Sequence, residues 1–336
     1  MTVKVAIVVP AGDGVGGLER VADDIRKGLD SADTVLVRPE KRAGRVARVL
    51  GLSPLIEGRS TGRSLRSVRP DVVITHGALG FVGRRFTRIH VYHGTMVAHS
   101  LSDRRAKKLR QWLLAGVIGG GISEFLSGLG AVRVAVSNSA AAEIRRYYRL
   151  SVHEVIENGV AIDEEASAIE SRRSGTCFVG RRESRKGYDQ AVSIAEACDT
   201  TLSVAGPGED LRTNDLGVLD RDELSLLLRR SAAMVFPTRY EACSVAILEA
   251  MRDGCAVVTT PVGWVQDLRK HVPEYDLLLH DPNDTEGHIA ALHRVLAGDP
   301  AVADAVRRAR DYVYERNSMA VFHERWRRLV AEVQER

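Results

Sequence analysis

The sequence predicts an α/β protein made of two doubly wound, parallel-sheet domains. Two observations carry that expectation. Short apolar runs alternate with helical patterns, and the alternation restarts after a polar stretch at 161–174. Each half also opens the same way, on a strand, a glycine-bearing loop and a helix: 4–9 with Gly12–Gly17, then 176–179 with Gly180–Gly187. Both halves are therefore Rossmann-like.

In the first half, Lys4 to Val9 reads as a buried strand and Leu18 to Leu29 as a helix. Gly12, Gly14 and Gly17 between them fit G-x-G-x-x-G in the context of a dinucleotide site. The second strand, 34–37, ends in Arg38 rather than in the acidic residue that meets a ribose. That leaves an NADP-dependent oxidoreductase as a rival function. Residues 41–70 are basic and loosely helical. Strands at 71–75 and 88–92 end in His76-Gly77 and His93-Gly94. His93 thus lies at a carboxyl end, where open parallel sheets bind ligands. A basic segment from Asp103 leads into a glycine-rich apolar stretch. Ala131 to Val136 is a strand, Ala140 to Tyr148 a helix, 153–156 a strand, and Asn158-Gly159 a turn.

The second half runs strand 176–179, helix 188–197, strand 201–205 ending in Gly206-Pro207-Gly208, a short strand and turn at 217–220, and helix 223–229. A strand at 232–236 follows, stopped by Pro237. Ser244 to Met251 has the periodicity of a helix, Asp253-Gly254 closes it, and the next strand spans 256–260. The last segment, 319–336, is amphipathic, with Val321, Phe322, Trp326, Leu329, Val330 and Val333 on one face. The expected domains are 1–165 and 166–318, with 319–336 crossing back to the first.

Composition narrows the function classes. The chain is 336 residues long, 44% apolar and 27% charged, an ordinary globular balance suited to about two domains. Cys177, Cys198, Cys243 and Cys255 lack zinc spacing or a framework pattern, so reduced thiols in the cytoplasm are expected. No apolar run is long enough to cross a bilayer, and the amino terminus lacks signal-peptide features. Residues 1–165 carry 25 Lys/Arg and 17 Asp/Glu, a net +8, against −4 in the rest. That surplus suits an anionic partner or peripheral contact with an anionic membrane surface as well as a solvated Arg-rich surface. No nucleic-acid partner is expected, and the sequence sets no oligomeric state.

The chemistry concentrates after two strands of the second half. Arg181, Arg182, Arg185 and Lys186 crowd the loop after 176–179. Arg as a fork and Lys as a point charge can neutralise a diphosphate. The backbone N–H groups of Ser244 and Val245 open a helix, a site for a phosphate. Glu241 and Glu249 flank that helix start. Carboxylates only accept hydrogen bonds, so they suit sugar hydroxyls rather than phosphate.

Together these motifs resemble the retaining glycosyltransferases of family four. Phe178-Val179-Gly180-Arg181 with Lys186-Gly187 looks like that family's phosphate loop, and Glu241 with Glu249 matches its E-x7-E pair. Asn158-Gly159-Val160, Gly206-x-Gly208, Gly16-Gly17 and His93 fall at its remaining motifs. The resemblance implies a GT-B fold and transfer of a sugar from a nucleotide-diphosphate donor, UDP-linked in the first instance with GDP and dTDP as alternatives, to a glycosyl acceptor. It implies Arg181 and Lys186 on the diphosphate, Glu249 on the ribose, and Glu241 on the donor sugar. Ser244 and Val245 hold a phosphate, Leu219 and Gly206 lie near the base, His93 touches the sugar, and Gly16 and Gly17 approach it from the acceptor side. No cofactor or metal is implied. The family's Gly-Phe-Gly after the first Glu is Ala242-Cys243-Ser244 here. A natural-product oligosaccharide, as in antibiotic biosynthesis, is the expected acceptor. A sugar-nucleotide binding protein without turnover is a third class.

Overall fold

The computed structural model describes residues 3–9, 17–39, 44, 46–47, 52–83, 85–102, 112–162 and 173–336, the side chains of 112–115 excepted. Gly12–Gly16, Lys41 and Arg42, the basic segment 103–110, and 163–172 of the polar stretch lie outside the described residues. The chain divides into two compact units, Met1–Asn158 with Ala320–Arg336, and Gly159–Met319.

The first unit is built on a six-stranded, wholly parallel sheet of order β2-β1-β3-β4-β5-β6. Its strands are β1 (Lys4–Val8), β2 (Asp33–Val37), β3 (Val72–His76), β4 (Arg88–Tyr92), β5 (Val132–Ala135) and β6 (Glu154–Val155). Every residue of β3 and β4 is buried, the signature of strands covered on both faces. Helix α1 (Gly17–Gly28) buries Val21, Ala22 and Ile25. The expected basic helical segment resolves into α2 (Ser53–Val68), which carries Pro54 in its first turn and ends on Arg69 in the left-handed conformation. Gly62 lets α2 lie against the chain at Val82, where a Cβ would come within 2.2 Å of the Val82 carbonyl oxygen. Then come α3 (Met96–Ser102), a π-helical stretch (Trp112–Gly120) running into α4 (Gly121–Gly128), and α5 (Asn138–Glu143), capped by the Ser137 hydroxyl.

The second unit has a five-stranded parallel sheet of order β11-β10-β7-β8-β9. It comprises β7 (Thr176–Val179), α6 (Tyr188–Ala197), β8 (Leu202–Ala205), β9 (Asn214–Gly217), α7 (Arg221–Arg230), β10 (Ala233–Phe236), α8 (Val245–Arg252) and β11 (Ala256–Thr259). Helices α9 (Val265–His271), α10 (Thr285–Leu296) and α11 (Pro300–Asn317) follow. The strand expected at 217–219 lies earlier, at β9. Gly217 turns out of the strand with φ +66°, and Asp220 is taken by the start of α7. There the Asp220 carboxylate accepts from the N–H groups of Asp222 and Glu223, and Glu223 accepts from the Asp220 N–H.

Helix α12 (Met319–Gln334) buries Phe322, Trp326, Leu329, Val330 and Val333. Residues Ala320–Arg336 belong to the first unit. Arg328 pairs with Glu154, and His323 lies so close to Gly28 that a Cβ there would come within 2.5 Å of its ring.

Candidate active site

In the second unit the chain runs outward from β7 through β8 to β9, then returns to the other side of β7 as β10 and β11. Loops leaving β7 and β10 therefore part at the point where strand order reverses, the ligand crevice of open parallel sheets. The cation-rich loop 180–187 follows β7, and Thr238–Glu241 follows β10.

The structure brings the cations of the first loop onto the acid of the second. Lys186 Nζ pairs with Glu241 Oε1 and lies 5.3 Å from the Phe236 ring centroid. Arg185 donates to the same Glu241 oxygen at 3.3 Å, to the Tyr240 carbonyl at 2.8 Å, and to Glu183 at 3.2 Å. Glu241 is thus neither a helix cap nor solvated; its side chain is only 13% exposed. Arg181 stays at the surface, paired with Glu183 at 3.0 Å.

Backbone hydrogen bonds fix this meeting. The Arg239 N–H donates to the Arg185 carbonyl at 2.8 Å, as does the Thr238 hydroxyl at 3.2 Å. The Thr260 hydroxyl donates to the Thr238 carbonyl, and that of Thr259 to the Phe236 carbonyl at 2.7 Å. All three threonines are fully buried. Gly187, at φ +72°, packs against Pro237, and Gly206, at φ +154°, packs against Gly180; a Cβ would stand 2.2 and 2.1 Å from the facing carbonyl oxygens. Glycine is needed at both.

Ser244 forms the cap of α8 in extended conformation and Val245 is its first residue. The first N–H groups of a helix have no partner inside it. Glu249, about one turn on, is 4% exposed. The Ala242-Cys243-Ser244 segment is held from below: Trp264 N–H donates to the Ala242 carbonyl at 2.7 Å, and Gly263 approaches the Glu241 carbonyl too closely for a Cβ. Leu219, two residues past the end of β9, lines a cavity of about 460 Å³ with Leu226 and Leu227.

In the first unit, His93 follows β4 and meets a residue that the sequence reading left without a role. Its Nε2 is 3.0 Å from Nδ1 of His76, at the end of β3, with the rings stacked. Burial holds His93 down at about 4 and His76 well below its ordinary value. Both are neutral at pH 7, so one ring nitrogen donates and the other accepts. Gly17 opens α1, and Gly16 lies outside the described residues.

Behind His93 sits a second group unmarked by any sequence motif. Thr95 donates to Glu143 through its N–H at 3.1 Å and its hydroxyl at 3.0 Å. Met96 N–H donates to Glu124 at 2.8 Å, and the Tyr148 hydroxyl donates to the same oxygen. Burial pushes Glu124 up to about 7. The folded chain therefore keeps a proton that the unfolded chain releases near 4.5, and this group's contribution to stability falls as pH rises from about 4.5 to about 7. Glu124→Gln should gain on the parent by roughly 3 kcal/mol between pH 5 and pH 8. Denaturant unfolding of both proteins across that range measures it, and a constant difference would contradict it. His90 and His93 act with the opposite sign, drawing stability down as pH falls below about 6.5, but they do so in both proteins.

Comparison with known proteins agrees with this architecture. Residues 4–164 match the family model described as Glycosyltransferase Family 4, and residues 173–298 match Glycosyl transferases group 1. Glycogen synthase of Mycobacterium tuberculosis is 28% identical over 276 residues, covering 73% of this chain and 64% of the relative. The chain thus spans a little under two thirds of that relative's length. Among solved structures, sucrose-phosphate synthase from Thermosynechococcus elongatus superposes with a TM-score of 0.77 at 18% identity, over 98% of this chain and 99% of the other. A protein from Anabaena, solved with UDP-glucose, gives 0.73 at 14% identity over 98% and 99%. The two parallel-sheet α/β domains match the fold of GT-B glycosyltransferase structures. Among the described residues, no helix is long and apolar enough to cross a membrane, and no cluster of three or more His, Cys, Asp or Glu is placed to hold a metal ion.

Proposed function

We propose that the protein is a retaining glycosyltransferase that moves a sugar from a UDP-linked donor to a saccharide acceptor. The observation that carries this reading is the junction of Lys186, Arg185 and Glu241 at the strand-order reversal, beside the opening turn of α8. It sets positive groups and a carboxylate within one side chain's reach, as an anionic diphosphate joined to a hydroxyl-rich sugar requires. In the reaction the bond between the sugar's anomeric carbon and the phosphate oxygen breaks, and the electron pair leaves on the diphosphate. The acceptor hydroxyl oxygen forms the new bond on the same face, and its proton passes to the departing phosphate. Lys186, Arg181 and the N–H groups of Ser244 and Val245 stabilise the charge growing on the leaving group. Glu241 accepts from hydroxyls of the donor sugar, Glu249 from the ribose, and His93 contacts the sugar. The protein itself supplies this electrostatic stabilisation, so no metal ion is assigned a role.

Calorimetric titration with UDP, GDP, dTDP and NADP+ tests the donor. UDP should bind, with Kd raised tenfold or more in Lys186→Ala, by loss of about one charged contact. Binding of NADP+ alone would support an oxidoreductase. UDP-sugar binding with no release of UDP in the presence of any acceptor would leave a binding protein. Turnover on a natural-product oligosaccharide, in the absence of lipid, tests the proposed acceptor.

A further inference from the structure

We propose that Arg185 is a positioning residue that keeps Glu241 in place when Lys186 turns to the donor's diphosphate, so that the protein distinguishes a sugar nucleotide from the bare nucleotide. This rests on the donor site proposed above.

Without ligand, Glu241 is shared by two cations that differ in how tightly they are held. Lys186 reaches it with a single point charge at the end of a flexible stem, which can swing toward a phosphate without dismantling anything else. Arg185 cannot. It is 9% exposed, and its guanidinium spans the Tyr240 carbonyl, Glu241 and Glu183 at once. Its own carbonyl receives the Arg239 N–H and the Thr238 hydroxyl. Backbone and side chain of one residue therefore grip the loop carrying Glu241 from both ends.

The two cations divide the work on binding. A diphosphate brings at least two negative charges and draws Lys186 and the exposed Arg181 toward it. If Lys186 were the sole partner of Glu241, that movement would leave a largely buried carboxylate uncompensated, a costly state. Arg185 keeps the charge balanced. It also leaves part of the carboxylate free, since it donates to Oε1 while Lys186 has vacated its share. That freed capacity is what a sugar hydroxyl can donate into.

The test separates sugar from nucleotide. In Arg185→Gln, affinity for UDP-glucose should fall by roughly 10- to 100-fold, the scale of one hydrogen bond to a charged group. Affinity for UDP should fall by less, since both ligands draw Lys186 off Glu241 but only the sugar nucleotide also loses a positioned acceptor for its hydroxyl. In Glu241→Gln the same loss should appear, and the double variant should lose little more, since the two act through one contact. Arg185→Lys, which keeps the charge but not the fork, should fall between parent and Arg185→Gln. Equal losses for UDP and UDP-glucose, or additive losses in the double variant, would reduce Arg185 to a structural strut and overturn the proposal. So would unchanged binding of both. Failure of the parent protein to bind either nucleotide would instead remove the donor site, and this inference with it. Thermal unfolding of each variant shows that the protein compared is folded, and Arg185→Lys carries the test if Arg185→Gln is not.

Discussion

Lys186→Ala is expected to lower turnover by about 100-fold or more while the fold survives, the usual loss when one preorganised charge-stabilising group is removed. The structure explains why the two effects separate. Lys186 is one of two cations on Glu241, so its removal leaves the acid paired to Arg185 rather than stranded. Its other neighbour, the face of Phe236 at 5.3 Å, contributes modestly. The loss should therefore fall on the step that charges the departing diphosphate, seen in kcat with an unchanged unfolding midpoint. Steady-state release of UDP, measured beside thermal unfolding, checks both halves. Parent-like turnover would take Lys186 out of the mechanism.

The second large effect concerns its neighbour in sequence. Gly187→Ala should destabilise the protein by about 3 kcal/mol or more, from a left-handed backbone a side chain resists and a carbonyl it would strike. Gly187 holds φ +72° where a three-residue 3-10 turn (Ser184–Lys186) hands over to α6, and its Cβ would lie 2.2 Å from the Pro237 oxygen. The strain cannot relax without parting the loops after β7 and β10, so donor binding should weaken with stability. Urea unfolding and UDP titration of the same sample test this. A variant as stable as the parent would mean that the contact is yielding.

Particular residues explain how far the sequence could be read. The alternation of strands and helices was visible because the apolar runs 4–8, 72–76 and 233–236 are covered on both faces and carry almost no polar interruption. The junction of Lys186 with Glu241 was within reach as two motifs, yet their direct pairing was not, because 55 residues separate them. Arg185 reads as one more cation in a charged loop, although its side chain is only 10% exposed. Its fork takes a carbonyl from Tyr240, and sequence carries no mark of which carbonyl a guanidinium will find. His76 and Glu124 were silent for a similar reason. Their partners, His93 and Tyr148, are set by strand order and by the packing of α4, not by local spacing. The strand ends at Gly217 rather than running to 219, and Val218, although apolar, is 61% exposed.

The three buried threonines at and just past the ends of β10 and β11 have a consequence for how this site can change. Thr259 and Thr260 tie the ends of β10 and β11 together through hydroxyls, and Thr238 ties the chain past β10 to the Arg185 carbonyl in the loop after β7. Positional rigidity is therefore stored beneath the loops, in buried hydroxyls. Half-buried side chains at the rim, such as Ser244, can change while the platform under them keeps its shape, which lets new substrate preferences arise by exchange of a few side chains without refolding the domain.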